Sequence, residues 1–195
     1  KDITVENCVG TVASGLMSIG STIDLDSARI TGNNRGLDVR SSARFTLRNA
    51  IVSNNGIGGG IWWSNASLIE LVNTTVADNK ITNHYGGAGI FIADGSNKVT
   101  SVNSIFYNNL WTEYNTGIVR PNSISFLYNS SELTVAYSDL EGGREGLKYF
   151  SGSSNVKVNW LEGNISEDPL FFLPVVNDYH LTNGSPCLAS GIARF

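Results

Sequence analysis

Eight side chains have the types and spacing to meet a sugar: Asp38, Arg40, Trp62, Tyr85, Phe91, Trp111, Tyr114 and Arg120. Flat rings edged by a few charged groups offer stacking together with directed hydrogen bonds. Trp62 and Phe91 each stand between two inward-facing apolar residues, which predicts that both point outward, where large apolar groups carry a meaning. Hydrolysis of a glycosidic bond would need two carboxyl groups about 5 to 10 Å apart. Asp24 and Glu70 share a face, but Thr46 falls between them, so they lie about 9.6 Å apart along a stack of strands, with no sign of a pocket. Calcium takes roughly six to eight oxygens, several from carboxylates. Asp38 shares its column with Trp62, Phe91 and Ser125 and has Arg40, Ser64, Ala93 and Leu127 beside it, a poor calcium site. Asp94-Gly95-Ser96-Asn97 reads as a turn joining two strands, and His84 and His180 are too few for a metal centre. No catalytic residue, metal ligand or cofactor is therefore expected in this chain.

The elements that position these residues recur. Arg48-Asn49-Ala50-Ile51-Val52-Ser53-Asn54-Asn55, Asn73-Thr74-Thr75-Val76-Ala77-Asp78-Asn79 and Asn103-Ser104-Ile105-Phe106-Tyr107-Asn108-Asn109 are versions of one phrase. Ser27 to Asn33 is a weaker earlier copy and Tyr137 to Gly143 a later one. Before each stands an apolar–polar–apolar triplet: Ile3-Thr4-Val5, Ile23-Asp24-Leu25, Phe45-Thr46-Leu47, Ile69-Glu70-Leu71, Val99-Thr100-Ser101 and Leu133-Thr134-Val135. That alternation is the signature of a half-buried strand. A second strand turns Ile30, Val52, Val76, Phe106 and Leu140 inward, with the small residues Cys8, Ala28, Ala50, Thr74, Ser104 and Ser138 inward two positions before the second-strand position. A third contains Leu37-Asp38-Val39, Ile61-Trp62-Trp63, Ile90-Phe91-Ile92 and Ile124-Ser125-Phe126. Three strands and three turns per repeat predict one coil of a parallel β-helix, each strand pairing with its equivalent a coil away. About six coils span residues 1–143, and residues 144–195 form the last coil or coils and a closing segment.

Asn is suited to tight turns because it tolerates the left-handed region and bonds locally. Asn7, Asn49, Asn73 and Asn103 are therefore expected to form a structural ladder at one turn. Successive members of that column (Asn7, Ser27, Asn49, Asn73, Asn103, Tyr137) are spaced by 20, 22, 24, 30 and 34 residues. The growth is confined to one turn, which lengthens from Asn34–Gly36 to Gly56–Gly60, Lys80–Gly89 and Leu110–Ser123. Insertions on one face of a solenoid mark its binding face, and these would wall the column that holds Trp62 and Phe91.

The formal net charge of −4 argues against a nucleic-acid partner. No apolar run is long enough to cross a bilayer. The opening Ile3-Thr4-Val5 sits inside a strand pattern with nothing like a cap, so the chain reads as a piece of a longer protein. Cys8 and Cys187 are expected to be free and mostly buried. With the C-terminal segment at the far end of the stack, they would lie about 25 to 30 Å apart, far beyond the reach of a disulfide.

The coil pattern resembles the right-handed parallel β-helices of the pectate-lyase-like superfamily. Tyr137–Gly143, Gly163–Phe171, Asn177–Leu181 and Gly184–Gly191 resemble the closing segment of secreted bacterial β-helix proteins of the choice-of-anchor Q type. The resemblance implies an all-β, right-handed solenoid, secreted or held at the cell surface through flanking regions, acting as a monomer on a polysaccharide or cell-surface glycan. It also allows a lyase or glycosidase with active-site residues partly in upstream coils, calcium as a cofactor, or a rigid adhesive stalk. The residues themselves favour a non-catalytic module.

Overall fold

A computed structural model describes residues 3–10, 14–41, 44–65 and 68–193. Among these, three six-stranded parallel sheets wind as a right-handed β-helix. The first sheet stacks Ile3–Glu6, Ala28–Thr31, Ile51–Ser53, Thr75–Ala77, Ile105–Tyr107 and Asp139–Leu140. The second stacks Ser14–Ile19, Arg35–Arg40, Ile61–Ser64, Ile90–Gly95, Ile124–Asn129 and Lys148–Tyr149. The third stacks Thr22–Asp26, Arg44–Arg48, Leu68–Val72, Lys98–Val102, Glu132–Ala136 and Lys157–Trp160.

Alternation puts every second side chain inside, and parallel pairing in register turns those side chains into columns. Ile30, Val52, Val76, Phe106 and Leu140 form one, and Leu37, Ile61, Ile90 and Ile124 another. Phe45, Ile69, Val99 and Leu133 form a third. All belong to one continuous core and are fully buried. Between sheets the chain turns through left-handed residues that recur at each corner. Ser27, Asn49, Asn73, Asn103 and Tyr137 occupy one corner, Asn7, Gly32, Asn54, Asp78 and Asn108 the next, and Gly20, Ser41, Asn65, Asp94 and Tyr128 the third.

Two expectations are corrected. Ile3-Thr4-Val5 pairs with Ala28-Arg29-Ile30 and so belongs to the first sheet, not the third. The alternation is the same in all three strands of a coil and does not say which sheet a triplet joins. The shift removes Asn7 from the column of Asn49, Asn73 and Asn103 and sets it beside Gly32. It also places Cys8 beside Asn33, whose Oδ1 accepts the Cys8 N–H at 2.9 Å.

The buried Asn ladder is a different column: Asn33, Asn55, Asn79 and Asn109. The Nδ2 of Asn33, Asn55 and Asn79 donates to the Oδ1 of the next coil's Asn, at 3.1, 2.8 and 2.9 Å. All four donate to a carbonyl of the coil before, Val5, Ile30, Val52 and Val76 in turn. Each Oδ1 accepts a backbone N–H as well, from Cys8, Asn33, Asn55 and Asn79. Asn49, Asn73 and Asn103 sit at an outer corner. Asn73 donates to Asn49 at 3.1 Å and Asn49 to Asp26 at 2.8 Å, in solvent, while Asn103 bonds the backbone of Ile192. Beside the buried ladder runs a glycine column, Gly36, Gly60 and Gly89. A Cβ on Gly60 would lie 2.8 Å from the Gly89 carbonyl oxygen, and one on Gly89 2.5 Å from that of Ser123. The coils approach too closely there for any side chain.

The closing segment does not stop at the end of the stack. Phe171–Leu173 and Asp178–Leu181 pair as an antiparallel hairpin that lies back across the outer face of the first sheet. Arg29 Nη1 donates to Asn177 O at 2.8 Å, Asn54 Nδ2 to Asn177 Oδ1 at 2.6 Å, and Tyr179 Oη to Asp78 Oδ2 at 2.7 Å. Both cysteines are free and half-buried.

Candidate functional site

The second sheet and the long turns beside it bring most of the sequence-predicted site residues together. Asp38, Trp62, Phe91 and Ser125 are register neighbours, as the column required. The long turns do not simply wall this column. Lys80–Asn83 and Leu110–Glu113 pair in parallel, and Val119–Pro121 pairs antiparallel with the latter, giving the turns a small sheet of their own. Its apolar face, Ile81 and Trp111, packs with Ala88 against Phe150, which arrives from the turn after Lys148–Tyr149. Phe150 also reaches the second sheet, where Phe91, Ala93 and Leu127 cluster with Trp62 and Tyr85.

Three of the eight candidates are thereby withdrawn from solvent. Phe91 is 1% exposed and Trp111 6%, and the Trp111 indole N–H is used on Asn83 O at 2.9 Å. Asp38 is wholly buried and answered by two guanidiniums, Arg35 Nη1 at 2.6 Å and Arg40 Nη2 at 2.5 Å. Long turns that fold onto a sheet gain more by covering its rings than by standing apart, because each ring buries a large apolar area.

What stays open is a strip along the edge. Ring contacts run without a break from Trp62 to Phe91 (4.4 Å), Phe91 to Tyr85 (6.5 Å), Tyr85 to His84 (5.9 Å) and His84 to Tyr114 (4.8 Å). Phe91 is the buried base of this strip. Trp62 and Tyr85 are half-buried, His84 is exposed, and Tyr114 is 66% exposed. Arg35 lies over Trp62, its Cζ 4.4 Å from the ring centroid, a cation–π contact that fixes the indole. Arg40 and the exposed Arg120 provide the other cations. Arg120 is the cross-strand partner of Trp111.

Two residues essential to this arrangement have little signal in the sequence. Arg35 opens the strand Arg35–Arg40 at the position that Gly59 and Ala88 fill in the next coils, so its size alone marks it. Phe150 lies outside the repeats. Among the described residues no group of three His, Cys, Asp or Glu side chains is placed to hold a metal ion. On the third sheet, Asp24 is bound to Arg48 at 2.6 Å and Glu70 to Arg44 at 3.2 Å.

Stacked three-sheet coils, an internal Asn ladder and long turns gathered at one corner define a right-handed parallel β-helix module. The family model described as right handed beta helix region matches residues 1–161, and the chain belongs to that family. Comparison with curated proteins and with solved structures found no match.

Proposed function

We propose that this chain is a non-catalytic, polysaccharide-interacting module of an extracellular or cell-surface protein, engaging sugar along the strip Trp62–Tyr85–His84–Tyr114. The observation that carries the reading is the unbroken ring contact along one edge, half-exposed at Trp62 and Tyr85 and exposed at Tyr114. Rings held rigid by Phe91 and Arg35 lose little freedom on binding, which favours stacking as the source of affinity. Asp38 offsets one of the two charges of Arg35 and Arg40, and stacking does not depend on charge, so binding would depend weakly on salt.

Glycan-array screening followed by titration calorimetry tests the reading. Trp62→Ala and Tyr114→Ala should each weaken binding by about 1 to 3 kcal/mol, by analogy with base stacking on aromatic side chains. Tyr114→Ala should leave the melting temperature unchanged, because its ring is exposed. An array with no ligand would favour a second reading, a rigid stalk. That reading draws on Phe91, Trp111 and Asp38, whose interaction capacity is spent inside the molecule.

A further inference from the structure

Where the closing segment crosses the first sheet, carboxylates meet from both sides. Asp78, Asp139 and Glu141 come from the coils and Glu167 and Asp168 from the segment. Asp139 is buried; its Oδ1 accepts the Glu167 N–H at 3.1 Å and its Oδ2 the Cys187 S–H at 3.2 Å. Glu141 Oε2 accepts the Asn108 N–H at 2.8 Å, and Tyr107 and Tyr179 bond Asp168 and Asp78. Among the described residues no ion pair reaches any of the five carboxylates. The basic side chains touching the segment, Arg29 on Asn177 O and His180 on Asp178, sit at the hairpin.

We propose that residues 166–193 are a proton-tightened clasp, held on the first sheet in acid and loosened at higher pH as charge gathers on the buried Asp139 and on Glu141 beside Asp78, Glu167 and Asp168. Burial pushes the Asp139 carboxyl above its usual range, and Glu167 and Asp168 add to the rise against the pull of its two hydrogen bonds. Burial likewise raises Glu141, with Asp139, Asp168 and Asp78 adding to it. A carboxyl whose value is raised on docking binds its proton more tightly in the docked state. Docking is therefore strongest at low pH and is lost as pH rises from the undocked towards the docked value, by at most about tenfold per pH unit for each carboxyl. Release would open the cavity of about 390 Å³ beneath residues 187–193, lined by Asn103, Ser104, Asp139 and Cys187. Burial holds the Cys187 thiol up at about 12 while the segment is docked, and an ionised Asp139 beside it adds to the rise.

Hydrogen–deuterium exchange, corrected for intrinsic rates, tests this from about pH 4, near the ordinary carboxyl values, to about pH 8. Peptides from 166–193 should lose protection as pH rises while a reference peptide from Leu68–Val72 does not. The double variant Asp139→Asn, Glu141→Gln should flatten that slope. An unchanged slope in the double variant, a protection that grows with pH, or parallel change in the reference peptide would each overturn the proposal. Should the double variant fail to fold, Glu141→Gln alone, at a half-buried side chain, should flatten the slope in part, and an unchanged slope there would overturn the proposal.

Discussion

Asn79→Ala separates the buried ladder from the outer corner. Asn79 is fully buried and makes four side-chain bonds: Nδ2 to Val52 O and to Asn109 Oδ1, both at 2.9 Å, and Oδ1 from Asn55 N at 3.1 Å and Asn55 Nδ2 at 2.8 Å. Truncation takes the acceptor from two buried donors on Asn55, its backbone N–H and one amide hydrogen. The other amide hydrogen still reaches Ile30 O, and Asn109 Oδ1 still accepts the Asn79 N–H, so those groups keep a partner. An orphaned buried donor costs about 1 to 3 kcal/mol, which puts Asn79→Ala at about 2 to 6 kcal/mol. Asn73→Ala loses one solvent-exposed bond to Asn49 and strains a left-handed residue at φ 50°, a cost of about 1 to 2 kcal/mol. Equilibrium urea unfolding of both variants, followed by circular dichroism, measures the difference. If Asn79→Ala is no more destabilised than Asn73→Ala, the buried ladder is not what binds the coils at this corner.

Val76→Asp should abolish folding, because it places an unpaired charge in the middle of a fully buried column; a wild-type melting curve would contradict the register. Phe91→Ala should cost about 3 to 5 kcal/mol, as for other fully buried rings, and a neutral result in thermal unfolding would mean that the long turns do not close over the sheet. Mass spectrometry after alkylation in denaturant without reductant should count two free thiols. A mass corresponding to an internal crosslink would refute that assignment.

The architecture was legible in the chain because parallel stacking writes itself into the sequence once per coil. Inward columns such as Ile30–Val52–Val76–Phe106–Leu140 must be apolar in every repeat, and three short alternations recur once per coil. The same regularity misleads at the ends. Ile3-Thr4-Val5 satisfies the alternation of any of the three sheets, and only its pairing with Ala28-Arg29-Ile30 decides which one it joins. The identity of the ladder was open for a related reason. Asn occurs both at the outer corner, where it tolerates a positive φ, and one residue past the next corner, where its amide bonds along the stack, and sequence does not distinguish a conformational from a hydrogen-bonding need. For the candidate site, the chain determined that Trp62 and Phe91 share an outward column beside the long turns. The tertiary structure alone decided that Phe150, from beyond the repeats, draws those turns down over Phe91 and Trp111, and that the closing segment lies back along the first sheet. Exposure depends on what arrives from distant parts of the chain, and a local pattern of polar and apolar residues holds no record of that arrival.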